Sequence, residues 1–239
     1  MTLNVKLKTI KGEDKMQIDE LKYQAKVSLR GHWKEAVLLN LIPTLFKIVP
    51  SLIYIIVLFS LFSSSKTITS FDNFYNNLKL FLSFVSTLLM TGISWTYLDL
   101  LRGTKSDIKP FKDAFRGLSK LFIIGILLLT LLLIIFTSLW TLLFIIPGVI
   151  KGLSYSQSYF IYYDTLTQTG KKPKLLDTIT ASRKLMDGYK TDLFCLKLSF
   201  IGWHILAFLT LGIGYLWLNP YISATEAAFY NELTQKNEL

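Results

Sequence analysis

The chain has 239 residues, of which 51% are hydrophobic and 18% charged, and its formal net charge is +10. A mean hydropathy of +0.44 is more than a soluble domain of this length hides in one core, so a soluble globular fold is excluded and an all-α integral membrane protein is expected. The basic excess does not point to nucleic acid, because lysines and arginines alternate with apolar runs, as they do where positive charge is kept on one side of a membrane.

The opening MTLNVKLKTIKGEDK is polar and basic, without the apolar core or cleavage site of a signal peptide, and residues 1–15 read as a cytosolic tail. One membrane domain, 16–232, follows. From Met16 to Trp33, Ile18, Leu21, Ala25 and Leu29 recur at helical spacing, with Lys15, Lys22, Lys26 and Arg30 on other faces, which predicts a basic amphipathic helix on an anionic leaflet. A first span, about Ala36 to Phe62, carries Pro43, Lys47 and Pro50 and is expected to kink. Ser63 to Asn77 has a loop composition, and Leu78 to Leu101 forms the second span, with Asp99 and Arg102 at its cytosolic end.

Ser106 to Leu118 predicts a second amphipathic helix, capped by Ser106 or Asp107, with Pro110 in its first turn and Ile108, Phe111, Phe115 and Leu118 on one face. The third span, Leu121 to Ile146, ends at the turn signal Pro147-Gly148. Val149 to Leu166 is rich in Ser and Tyr and reads as a fourth span sheltered by the others. A polar turn at Gly170 to Pro173 leads to a third amphipathic segment, Lys174 to Tyr189. The fifth span, about Asp192 to Leu211, turns through Gly212-Ile213-Gly214 into a sixth, Tyr215 to about Tyr230, and residues 233–239 form a second tail. The lone Cys195 falls in the fifth span as a small apolar filler and permits no internal disulfide.

Of the 26 lysines and arginines, 21 lie in the N-terminal segment, in Arg102 to Lys120, in Lys171 to Lys190 and in the C-terminal tail. That bias places both termini in the cytosol. Each odd-numbered span follows a basic segment ending in glycine and lysine: RGHWK at Arg30, RGLSK at Arg116 and DGYK at Asp187. The expected architecture is therefore six transmembrane helices as three hairpins, each preceded by a cytosolic amphipathic helix.

Several runs carry a likeness: LKYQAKVSLRGHWKEAV from Leu21, IPGVIKGLSYS ending at Ser156, LSFIGW from Leu198, TLGIG from Thr210 and NPYISATEAAFYNEL from Asn219. They resemble domain-of-unknown-function family 975, uncharacterised bacterial multi-pass membrane proteins distantly similar to the membrane domain of some glycerophosphodiester phosphodiesterases. TLTQTGKK from Thr165 is a looser match to the polar stretch after that family's fourth span. The resemblance implies a bacterial cytoplasmic membrane protein and carries no catalytic residues.

No GxSxG, P-loop or HExxH motif is present, and the two histidines, His32 and His204, have no metal-ligand spacing, so neither catalysis nor a cofactor or metal is expected. Polar groups at membrane depth are the better lead, since a charge there costs about 2.5–3.5 kcal/mol and is kept where it faces an interior. Lys47, Ser154, Gln157, His204, Asn219 and Glu226 are the candidates for contacting a ligand, with Lys197 placed to snorkel or to pair with Glu226 across its hairpin. The serines and Gln157 read equally well as interhelical hydrogen-bond donors, and His204 as an interior histidine. Lys26, Arg30, Lys112, Arg116, Lys171 and Lys172 are the candidates for binding anionic lipid head groups. Two function classes follow. One is a non-enzymatic protein binding or translocating a small or amphiphilic substrate in a cavity between the fourth and sixth spans. The other is an accessory membrane protein (a scaffold, envelope-stress or immunity-type factor) whose basic helices hold anionic lipid or a partner.

Overall fold

The structure, a computed structural model, describes residues 16–61 and 68–237. The expected tail over residues 1–15, the segment 62–67 and the side chain of Lys47 lie outside the described residues. Helix accounts for 83% of the chain, and no strand occurs among the described residues, so the fold is all-α. In chain order the helices are α1 (Ile18–Leu29), α2 (Trp33–Leu61), α3 (Ile68–Leu101), α4 (Pro110–Ala114), α5 (Ile123–Leu143), α6 (Ile145–Tyr155), α7 (Ser158–Thr169), α8 (Leu175–Leu185), α9 (Lys190–Leu198), α10 (Ile201–Leu209) and α11 (Tyr215–Asn237). Four stretches are long and apolar enough to cross a membrane: Trp33–Phe59, Asp72–Leu101, Ile123–Leu143 and Lys190–Leu209. Four such helices are compatible with a membrane protein.

α1 forms over the predicted Leu21, Ala25 and Leu29 stripe, but the stripe faces protein. All three residues are fully buried, and α1 packs against α11. α2 runs as one helix through Pro43 and Pro50. Ser63–Asn77, a loop by composition, is helical from Ile68. The reason is tertiary: Tyr75 stacks on Tyr54 at 3.9 Å, and Asp72 accepts the Tyr54 hydroxyl at 2.9 Å.

Ser106–Leu118 is not one amphipathic helix. It is the five-residue α4 followed by a 3-10 turn, Phe115–Leu118. Neither Ser106 nor Asp107 caps it. Asp113 instead accepts the Lys109 backbone N–H at 2.7 Å and pairs with Lys105. Tightening from 3.6 to 3.0 residues per turn splits the expected face, leaving Ile108 buried while Phe111 and Phe115 stay exposed.

The turn after α5 is at Phe144, whose extended backbone (φ −158°, ψ 143°) reverses the chain in one residue. Pro147 and Gly148 sit in the first turn of α6, where proline's missing N–H costs no helical bond. The expected fourth span is broken at Ser156–Gln157 into α6 and α7, and the fifth at Ser199–Phe200 into α9 and α10. In the third amphipathic segment Ile179 and Met186 are buried and Leu176 is exposed.

The turn between α10 and α11 has an unusual surface. Phe208, Leu209, Leu211 and Ile213 all project outward, Leu211 with 96% of its surface exposed. Its backbone is closed on itself. Thr210, Leu211, Gly212, Ile213, Tyr215, Leu216, Trp217 and Leu218 each donate to a main-chain carbonyl, and Gly214 N–H donates to Thr210 Oγ1 at 2.8 Å. Leu211–Ile213 share a recess with Asn40, Thr44 and Ile48 of α2. α2 then continues from Ile48 to Leu61, roughly 20 Å further at ~1.5 Å per residue, with Leu52, Ile53, Ile56 and Phe59 exposed.

The three glycines of the apparent repeat do different work. Gly31 (φ 89°) and Gly188 (φ 85°) take left-handed turns that side chains rarely adopt. Gly117 instead lets the 3-10 turn touch α3: a Cβ there would stand 2.0 Å from the Leu88 carbonyl oxygen, and one on Gly92 would stand 2.7 Å from the Gly117 nitrogen. Gly117→Ala is therefore expected to cost about 2–3 kcal/mol through overpacking. Gly202→Ala, with nothing near its new methyl, is expected to be neutral or slightly stabilising. Thermal unfolding of the two variants in detergent checks the contrast.

Candidate functional site

Two polar groupings stand out. The first closes one end of the bundle. Asp99, at the end of α3, accepts Arg116 Nη1 at 2.5 Å and the Tyr163 hydroxyl at 2.9 Å, while Arg116 Nη2 donates to the same tyrosine oxygen at 2.5 Å. Beside it, Arg102 makes a two-pronged pair with Asp164 at 2.7 and 2.9 Å, and its Nε donates to Asn231 at 3.0 Å. Tyr230 gives its hydroxyl proton to Asp164 at 2.7 Å. Aromatic faces back this layer: Trp95 stacks on Tyr163 at 4.8 Å, and Phe160 on Tyr230 at 4.9 Å. Burial alone would lower the pKa of Arg102 and Arg116, yet both are raised because the hydrogen-bonded carboxylates Asp164 and Asp99 favour the charged form.

This layer joins α3, the 3-10 turn, α7 and α11, and its role is to hold them in register. Asp99 and Arg102 read from the sequence only as boundary markers, and Asp164 and Tyr230 did not stand out. The available signal was opposite charge at the ends of two apolar helices.

The second grouping is a cleft of about 370 Å³ between α3, the α9–α10 arm and α11. Met90, Leu196, Phe200 and Ile222 supply apolar walls. Lys197, Glu226 and Ser223 gather toward one end, and His204 and Asn219 toward the other. Lys197 donates to Glu226 across the two helices, with 48% and 36% of their side chains still exposed, so the pair is open to a competing ligand and is worth little to stability. His204 lies 5.7 Å, centre to centre, from the Tyr215 ring. α11 runs unbroken through Asn219 and Pro220, and Asn219 also lines the neighbouring recess with Asn40 and Thr44.

The cleft thus gathers His204, Asn219 and Glu226 from the sequence-derived set, and adds Lys197. It does not include Ser154 or Gln157. Ser154 is buried, bonds Ile150 O through its hydroxyl and accepts Ser182 through its carbonyl, which ties α6 to α8. Gln157 is buried at the α6–α7 break, donates to Ser156 Oγ at 2.8 Å and leaves its Oε1 without a described partner. The walls facing α11 are α3 and the α9–α10 arm. The α6–α7 helix meets α11 through the Phe160, Asp164 and Tyr230 contacts. The cleft therefore lies elsewhere than between the fourth and sixth spans, and α1, α2 and α3 are the helices that pack most on α11.

Of the residues expected to meet lipid head groups, Lys26, Arg30, Lys112, Lys171 and Lys172 are exposed. Arg116 is held by Asp99 and Tyr163. Among the described residues no three His, Cys, Asp or Glu side chains converge as a metal site.

Asp164→Asn removes a charge that Arg102 and Tyr230 share and is expected to cost about 2–4 kcal/mol, since it strands a partly buried guanidinium. Lys190→Gln, at an exposed pair with Asp187, should cost less than about 0.5 kcal/mol. Apparent unfolding midpoints of the two variants test whether the layer is structural.

Residues 143–237 match the family described as Protein of unknown function (DUF975), a region that runs from the end of α5 through α11. No curated protein and no solved structure gives a significant match to the chain.

Proposed function

We propose that this is a non-enzymatic multi-pass membrane protein that binds, and shifts within the bilayer, a small or amphiphilic ligand in the cleft of α3, α9–α10 and α11. The observation that carries this reading is the half-open Lys197–Glu226 pair in a cleft otherwise walled by apolar side chains, with His204 and Asn219 at its other end. Opposite charges left accessible beside an apolar wall suit a ligand with a polar or zwitterionic head and an aliphatic body. The likeness to membrane domains of glycerophosphodiester phosphodiesterases rests on the residue resemblance alone and adds no chemistry.

The lysine and arginine bias supports a cytoplasmic membrane location with both termini in the cytosol, and three hairpins: α2 with α3, α5 with α6–α7, and α9–α10 with α11. The third hairpin fits better as a re-entrant loop than as two full spans. Its tip is apolar, every one of its backbone N–H groups is satisfied internally, and the exposed apolar surface of α2 continues beyond it. Backbone donors at membrane depth have to be satisfied within the protein, and those of this turn are. Four full crossings, α2, α3, α5 and α6–α7, keep both termini on one side.

In a Cys195→Ser background, an impermeant maleimide added to intact cells should label Ser65→Cys, with Lys172→Cys labelled only after lysis and Leu211→Cys only after detergent. Labelling of Leu211→Cys from outside, as readily as Ser65→Cys, would restore the six-span count. For the ligand, lipid and small-molecule extracts of the purified chain should contain one species retained in near-stoichiometric amount. Glu226→Gln and Asn219→Ala should reduce it about tenfold, the ratio for losing roughly 1.4 kcal/mol of binding, with membrane levels unchanged. Identical extracts from all three proteins would remove the basis for the proposal.

A further inference from the structure

A groove of about 350 Å³ runs between α1, the start of α2 and the α10–α11 turn, away from the ligand cleft. Its walls are the indoles of Trp33, Trp203 and Trp217, and Ala207 and Gly214 keep it open. The Thr210 hydroxyl lining it is already engaged, donating to Ala207 O and accepting Gly214 N–H, both at 2.8 Å. None of the three indole N–H groups has an acceptor among the described residues. The charge on this groove comes from Lys26, whose ammonium lies 5.6 Å over the Tyr221 ring. Among the described residues no carboxylate stands within ion-pairing distance of it. One turn earlier on α1, Lys22 sits 4.8 Å over the Phe200 ring. Burial lowers the Lys22 pKa and Lys26 adds to that, against the pull of Asp19, so a second cation near this end of the groove gains from an added anion.

An apolar channel walled by indoles and ending at an unpaired ammonium matches a molecule with an aliphatic chain and one anionic head. Tryptophan is favoured where hydrocarbon meets head groups, and lysine draws anionic lipid there. We infer that this groove holds one anionic phospholipid of the adjoining leaflet, its acyl chain between Trp203 and Trp217 and its phosphate at Lys26. The inference rests on the chain lying in a bilayer and not on what the Lys197–Glu226 cleft binds. The lipid would wedge α1 and α2 against the third hairpin and so brace it.

The test is native mass spectrometry of the full chain in detergent, titrated with phosphatidylglycerol or with phosphatidylcholine of the same acyl chains. The wild type should keep one phosphatidylglycerol in preference to phosphatidylcholine. Lys26→Gln should reduce that preference about fivefold, the contribution of one lysine beside an anionic surface. Lys190→Gln, at the surface pair with Asp187 and away from both clefts, should leave it intact. Trp203→Ala should weaken retention of both lipids. Equal retention of the two lipids by the wild type would overturn the inference. So would an unchanged preference in Lys26→Gln, or a dimer that forms in place of lipid binding and is broken by Trp203→Ala.

Discussion

The helix Tyr215–Asn237 has to be covered, and much of the fold can be read as the way it is covered. It carries Asn219, Pro220, Ser223, Thr225 and Glu226, too much polarity to face lipid on every side, together with Ala224, Ala227 and Ala228, which take up little room. Small residues let neighbouring backbones approach closely, and dispersion then accumulates where hydrophobic transfer gives little. α1, α2 and α3 all pack on this helix, and Ala224, Ala227 and Ala228 are fully buried. That is why α1, whose composition suits a membrane surface, spends its apolar stripe on protein. Of these polar residues Asn219 and Glu226 stay partly exposed, and both line the cleft with Lys197 and His204.

The ionic layer at the opposite end of the same helix works by a different rule. Arg102 and Asp164 are paired in a two-pronged geometry, and each has a further hydrogen bond, to Asn231 and from Tyr230. Buried charges are tolerated when their remaining hydrogen-bonding capacity is filled, and removing one member then exposes the cost of the other. The Lys197–Glu226 pair is the contrast. It is half exposed and shares its cleft with apolar walls, so it can exchange its partner for a ligand head at small cost.

Several elements were legible in the residues before any fold was known. The long apolar runs and the α10–α11 turn at TLGIG follow from hydropathy and glycine. Others were hidden because they depend on contacts across the chain. Asp164 is an ordinary acid until Arg102 and Tyr230 converge on it. Gly117 looks like a turn glycine beside Gly31 and Gly188 until the Leu88 carbonyl is found against it. Residues 68–77 have a loop composition until Tyr54 stacks on Tyr75. That Ser154 and Gln157 lie away from the cleft was hidden for the same reason: α6–α7 turns their polar groups toward α8 and its own break.

What the sequence by itself determined is which segments are long and apolar and which are amphipathic or charged, because periodicity and hydropathy are local sums; what covers an apolar stripe, as protein covers that of α1, is not among them. Only the tertiary structure decided which polar groups meet, because a pairing such as Lys197 with Glu226 or Asp99 with Arg116 depends on the relative placement of helices, and no local sum contains that. The position of the last turn was decided the same way. TLGIG marks a turn in any reading, but that the turn stands beside Asn40–Ile48, with α2 running on past it, is a property of how two hairpins pack.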